Sequence, residues 1–302
     1  MQSKRLRLLA ALLTALCLLT LALACGRGGG DEDDDEPAGG GEAEAQLQPY
    51  APTGREGSLK GTVAFAGAAP EVKIIPMSAD TNCERANPNA KAEDIVINGD
   101  KLQNVFVYVK EGRLSEGNKS IANLSFPAGA EPKTLDQHGC MYVPHVIGIQ
   151  AKQKLSITNS DQTTHNVNVQ ATKNDKVNPS QPPNTPPIDY VPKRSEVLIP
   201  VKCNQHPWMK AYIGVLSHPF YAVSGPDGSF EITGLPPGTY TLVAWHEKMK
   251  EQTQQVTIGP GENKAGVAFS FNATTASEQL DGGSLTLMPA LELPAVSPGR
   301  HH

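Results

Sequence analysis

Cys203-Asn204-Gln205-His206-Pro207-Trp208-Met209 sets a thiol, an imidazole and a thioether within seven residues. These are the side chains that hold an electron-transfer copper ion, with two His nitrogens and a Cys sulfur in a plane and a distant Met sulfur on the axis. Soft sulfur favours Cu(I), imidazole accepts both oxidation states, and a geometry tolerable to both limits rearrangement when an electron moves. The thiol serves only once deprotonated. The second imidazole has to come from elsewhere. His165 in NSDQTTHNV is well placed, since it ends the strand-like run KLSITNS and opens another, HNVNV. His145 is its nearest rival. C-x-x-H alone is a weak pattern that a buried thiol beside ordinary turn residues would also give. C-x-x-H-P-W-M directly after the strand-like SEVLIPVKC is far more demanding.

Cysteine parity supports this division of labour. The chain has Cys17, Cys25, Cys83, Cys140 and Cys203. Lys4, Arg5 and Arg7 followed by the unbroken apolar run 8–24 read as a signal peptide that would remove Cys17. LALAC at its end resembles the bacterial lipobox, with Ala22 where Leu is usual. That resemblance implies that Cys25 becomes the first mature residue and carries the lipid; a plain membrane-anchor helix is the alternative. Three cysteines then remain in an oxidising compartment. One disulfide plus one cysteine with another task is the simplest reading, and with Cys203 in the dense motif the pair is Cys83–Cys140. A second metal site of His138, Cys140 and His145 is the competing reading.

The elements that must position these groups read as β. GTVAFAG, DIVIN, NVFVYVK, VIGIQ, SEVLIPVKC, AYIGVLS, GSFEITG, TYTLVAWHE, QQVTIG and GVAFSF are short, with period-two patterning and β-branched or aromatic residues. GPDG and LPPG supply turn chemistry, and no stretch sustains a helical period. The expectation is an all-β chain of sandwiches, with the Pro-rich 171–195 as a long loop. Residues 25–57 hold the acidic, Gly-rich GRGGGDEDDDEPAGGG, expected to be an extended linker. Residues 26–57 carry nine acids and two bases, so they account for more than the whole net charge of −5 and leave 58–302 nearly neutral. No basic surface for nucleic acid is implied. The tail 273–302 has irregular patterning and is expected to be mostly disordered.

Two family resemblances follow from these motifs. CNQHPWM and NSDQTTHNV, within about 135–217, resemble the cupredoxins, and the ligand loop is similar to the short one of amicyanin. This implies a Greek-key sandwich over 131–217 with one type 1 copper, held equatorially by His165, Cys203 and His206 and axially by Met209. It further implies that Asn166 hydrogen-bonds toward the cysteine loop. Pro207 and Trp208 would furnish an apolar patch through which one edge of His206 meets a partner. Cys140 and the long excursion before Cys203 depart from the amicyanin pattern. AVSGPDGSFEITGLPPGTYTLVAW at 222–245 is similar to the carboxypeptidase regulatory-like, transthyretin-like sandwich. GTVAFAG and NVFVYVK fit that family's first strands, so 58–130 and 218–272 are expected to form one split sandwich, with two consecutive domains as the alternative. No H-x-x-E or H-E-x-x-H motif is present, so peptidase chemistry is not implied.

The implied function is single-electron transfer, without enzymatic activity, by a lipid-anchored protein of the bacterial cell envelope. Its partner would be a redox protein such as a cytochrome c or a dehydrogenase. Copper storage, delivery or sensing, and a metal-free envelope scaffold, are the alternatives. His218 and His246 are expected to be structural or surface residues.

Overall fold

A computed structural model describes residues 47–272. The signal peptide 1–24, Cys25, most of the expected linker and the tail 273–302 lie outside the described residues. The chain divides into Met1–Glu44 and Ala45–His302, and everything below concerns the second unit. Among the described residues no helix is long and apolar enough to cross a membrane.

The fold is all-β, and its four principal sheets stack in layers around three apolar seams. The first sheet runs Ile188–Tyr190, Leu155–Asn159, Lys133–His138, Met141–Val143. The second runs Asn168–Val169, Glu196–Lys202, Lys210–Leu216, Val146–Gln150. Leu135, Tyr142, Ile149, Ile157, Ile199 and Ile213 fill the core between them. The third sheet runs Tyr221–Val223, Phe106–Leu114, Gly238–His246, Lys250–Ile258. In the fourth, Gly57–Ala66 lies against Ser229–Leu235 and Lys101–Leu102 and also pairs in parallel with Asn263–Asn272. Alternation places Val267, Phe269 and Phe271 inward on that last strand. Chain from both sides of the first sandwich therefore builds the second.

The middle seam explains why several strands are apolar on both faces. Along Lys210–Leu216, Ala211, Ile213 and Val215 point into the first core, while Tyr212 and Leu216 point toward Phe106, Tyr108 and Val243 of the third sheet. Such strands read as continuous apolar runs rather than alternating ones. Gly214 and Gly148 are cross-strand partners at this seam. A Cβ on Gly214 would stand 2.4 Å from Phe106 Cζ, and one on Gly148 would stand 2.3 Å from Tyr221 Cε2. The two glycines together open the slot that admits the Phe106 ring.

Three segments differ from the sequence expectation. Gln48–Pro49 pairs with Leu124–Ser125 and Tyr50 packs 5.2 Å from Phe126, so the end of the stretch expected to be linker is packed onto the fold. Met77, Cys83 and Ala90 belong to the first core, whereas the sequence pattern places all of 58–130 in the other sandwich. They lie around a short helix, Thr81–Ala86, which has no helical periodicity to advertise it. The Pro-rich excursion is not only loop. Its Ser180–Gln181 pairs with His165–Asn166, and its Ile188–Tyr190 edges the first sheet.

His218 and His246 are both buried in the second sandwich. Nδ1 of His218 accepts from Phe220 N at 3.3 Å, and Nδ1 of His246 accepts from Lys248 N at 3.2 Å. Burial pushes both imidazoles down to about 4. An unfolded histidine takes up its proton near 6.5. Between those values the unfolded chain binds more protons, so stability falls as pH is lowered from about 6.5 toward 4, by up to about 1.4 kcal/mol per pH unit for each group. The urea midpoint is expected to be lower at pH 5 than at pH 7. Gly214→Ala is expected to cost about 1–3 kcal/mol by overpacking the seam, measured as a lower urea midpoint.

Candidate metal centre

Cys203 follows the strand Glu196–Lys202, and Met209 immediately precedes the strand Lys210–Leu216. The two strands are paired in register up to Lys202 and Lys210, so the ligand motif is the turn that joins them. Cys203 N donates to Met209 O at 3.2 Å and Met209 N donates to His206 O at 2.9 Å, which curls the turn on itself. His165 arrives from the adjoining ladder, where it faces Gln181 of the excursion. His165, Cys203 and Met209 are at most 2 % exposed, and His206 is 4 % exposed.

The donor atoms converge. His165 Nδ1 stands 2.9 Å from His206 Nδ1, and Cys203 Sγ stands 3.6 Å from the same His206 nitrogen. The ligand atoms of His165, Cys203 and His206 lie within 4.8 Å of one another. The outer nitrogens face carboxylates. His165 Nε2 is 2.9 Å from Asp161 Oδ2, and His206 Nε2 is 3.3 Å from Asp80 Oδ2. A carboxylate only accepts, so both Nε2 atoms carry hydrogen and donate. In the neutral rings both Nδ1 atoms are then acceptors, aimed at each other beside a thiol. Two lone pairs 2.9 Å apart require a shared proton or a metal cation between them. Imidazole–metal bonds of about 2 Å to one ion place two nitrogens roughly 3 Å apart. The residues present fit a soft, imidazole-binding cation.

The electrostatics favour the ligand form of the thiol. Burial alone would raise the Cys203 value, but hydrogen bonding with His165 and with the backbone at Asn166, His206 and Gln205 outweighs it and brings the thiol down to about 6. Burial would lower His165, yet Asp161 and Cys203 hold it up at about 9. Asn166 Oδ1 accepts from Asn204 N at 2.7 Å and lies 3.5 Å from Cys203 Sγ, bridging the two ligand segments. Its Nδ2 donates to Asn178 of the excursion.

Cys83 and Cys140 form a disulfide, and Cys203 is free. That removes Cys140 from any site with His138 and His145. His138 is exposed, and His145 sits at the middle seam with Nε2 2.7 Å from Glu247 Oε1 and Nδ1 3.5 Å from Glu93 Oε2. Lys210 and Tyr212 also reach Glu247, at 2.9 and 3.0 Å. His145 thus links the sandwiches and does not join the donor group.

The open histidine edge implied by resemblance is absent. His206 Nε2 lies 3.6 Å from Cys83 Sγ as well as beside Asp80, so the disulfide arm covers it. Trp208 is half-buried, its Nε1 donating to Cys140 O at 3.0 Å, and only Pro207 of the expected patch is exposed. Asp80 and Asp161 escaped the sequence reading. For Asp161 a signal existed, since it stands four residues before His165. For Asp80 there was only the helix-cap pattern before Thr81.

A family model described as the carboxypeptidase regulatory-like domain matches residues 206–271. No curated protein matches the chain. Among solved structures, a copper-containing nitrite reductase from Thermus scotoductus is similar at 18% identity, over 31% of this chain and 25% of that one, with a TM-score of 0.26. This chain thus spans about a quarter of that reductase's length. A purple cupredoxin from Nitrosopumilus maritimus is similar at 17% identity, over 28% of this chain and 98% of that one, with a TM-score of 0.24. A reduced variant of amicyanin is similar at 14% identity, over 29% and 84%, with a TM-score of 0.26.

Asn166→Ala is expected to destabilise the metal-free protein by about 0.5–1.5 kcal/mol, because its hydrogen bonds to Asn204 N and Asn178 are lost while those two exposed residues can turn to water. Chemical denaturation followed by fluorescence would measure it.

Proposed function

We propose that this protein is a one-electron carrier built on a type 1 copper centre that His165, Cys203, His206 and Met209 would hold. The observation that carries this reading is the pair of Nδ1 acceptors 2.9 Å apart beside a buried thiol. The bound ion would supply a Cu(I)/Cu(II) couple. The protein's share is to hold the donors still. The paired strands fix both ends of the ligand turn, and the ladder to Gln181 fixes His165. Preorganised, water-excluded donors keep the geometry constant between oxidation states, which is what rapid electron exchange needs. With Met209 as a fourth donor the protein would fill the ion's coordination, which favours a carrier over an enzyme. Delivery of copper to another protein would favour more accessible donors than these.

The carrier is proposed to work at the bacterial cell envelope, tethered through a lipid on Cys25. A cytochrome c or dehydrogenase is the class of partner that one-electron exchange requires. The second sandwich carries no H-x-x-E or H-E-x-x-H motif and is proposed to serve as a packing or interaction module.

Copper-loaded protein is expected to be intensely coloured through thiolate-to-copper charge transfer, and Cys203→Ser is expected to abolish that band. The Cys83→Ser, Cys140→Ser pair is expected to keep the band while losing about 4 kcal/mol of stability, from the loop implied by a separation of 57 residues. A colourless protein holding stoichiometric Cu(I) would favour storage or delivery instead. Failure to take up copper would leave a scaffold.

A further inference from the structure

Two carboxylates stand directly behind the candidate ligands, and each is fixed from several sides. Asp161 Oδ1 accepts from Gly139 N at 2.7 Å, and its Oδ2 accepts from Cys140 N at 2.8 Å and from His165 Nε2 at 2.9 Å. Asp80 caps the helix Thr81–Ala86, with Oδ1 accepting from Asn82 N at 2.8 Å and Cys83 N at 3.2 Å. Its Oδ2 takes Thr163 Oγ1 at 2.8 Å and His206 Nε2 at 3.3 Å. One carboxylate holds the backbone N–H of Cys140 and the other that of Cys83, and those two residues are joined by the disulfide. Ligand, carboxylate and cross-link therefore form a closed frame around both imidazoles. His206 lies within it, 4 % exposed.

Resting on the copper reading above, we infer that Asp80 and Asp161 are positioning residues that fix both imidazoles on the metal through Nδ1 and tune its potential, with the Cys83–Cys140 cross-link delivering Asp80 to His206. The chemistry follows from the second hydrogen bond of a ligating imidazole. A carboxylate accepting the Nε2–H fixes the tautomer, strengthens Nδ1 as a donor and orients the ring. A stronger donor bearing nearby negative charge stabilises Cu(II) over Cu(I) and lowers the reduction potential. Asp80 has a second effect. By occupying the edge of His206 that would otherwise meet water, it holds that ring on the metal in the reduced state.

The test compares four copper-loaded full-length proteins: the parent, Asp80→Asn, the Cys83→Ser, Cys140→Ser pair, and that pair combined with Asp80→Asn. Asn keeps the shape and caps a helix as well as Asp; with its oxygen at the cap, its amide nitrogen cannot accept from His206 Nε2, so Asp80→Asn removes the charge and that hydrogen bond but not the cap. The charge-transfer band is expected in all four. At the parent's midpoint potential, Asp80→Asn is expected to move the Cu(I):Cu(II) ratio about tenfold toward Cu(I), a rise of about 59 mV for one electron. The cross-link variant is expected to shift in the same direction. Asp80→Asn added to it is expected to change little further, because Asp80 is already released. In the diamagnetic Cu(I) form, both ligand histidines of the parent should show a slowly exchanging Nε2–H by NMR. An unchanged potential in Asp80→Asn with the band intact would overturn the inference, as would coordination through Nε2. Absence of the band in the parent would instead remove the copper reading on which it rests.

Discussion

The site is governed by one constraint: both imidazoles spend their Nε2–H on carboxylates, so their remaining lone pairs must meet each other. At 2.9 Å, in a pocket that excludes water and holds a thiol, that meeting is stable only with a positive charge between the rings. Burying such an arrangement without its cation would leave unpaired acceptors in a low dielectric, at a cost of several kcal/mol. The first sandwich exists to hold this geometry. Its second sheet ends at the ligand turn, its excursion pairs with the His165 strand, and its disulfide arm closes over His206.

On the proposed carrier reading, the cover over His206 changes how an electron would leave. A ligand histidine open to solvent would offer its ring edge directly to a partner. Here the route from His206 to the surface passes the disulfide, or Trp208, whose ring centroid is 5.2 Å from that of His206. The surface above the site is set by the arm at Thr81–Ala86 and by Pro207 rather than by a bare imidazole. The second sandwich is not a loose appendage. Its packing through Phe106 against the paired glycines, and the reach of Lys210 to Glu247, tie the strand after Met209 to the neighbouring sheet.

What could be read from sequence and what could not divides along contact range. Cys203, His206 and Met209 share one turn, so their spacing alone brings them together. Cysteine parity left one thiol free, which pointed to Cys83–Cys140. His165 needed the added idea that strand ends meet at one end of a sandwich. The carboxylate frame was hidden because Asp80 lies far from the ligand turn in the chain and resembles any helix cap. The burial of His206 was hidden for the same reason. Resemblance implied an open edge, but the covering arm comes from 80–86, a segment whose short helix carries no period. Strand patterns gave the fold class, while double-sided apolar runs such as VIGIQ gave no sign that one face looks into the site core and the other into a seam between sandwiches.

The most direct test of the metal centre is X-ray absorption at the copper edge of the loaded full-length protein. The expected inner shell is one sulfur and two imidazole nitrogens, and in Cys203→Ser the sulfur is lost from it. A shell of nitrogen and oxygen alone in the parent, or one that Cys203→Ser leaves unchanged, would contradict the assignment of these residues.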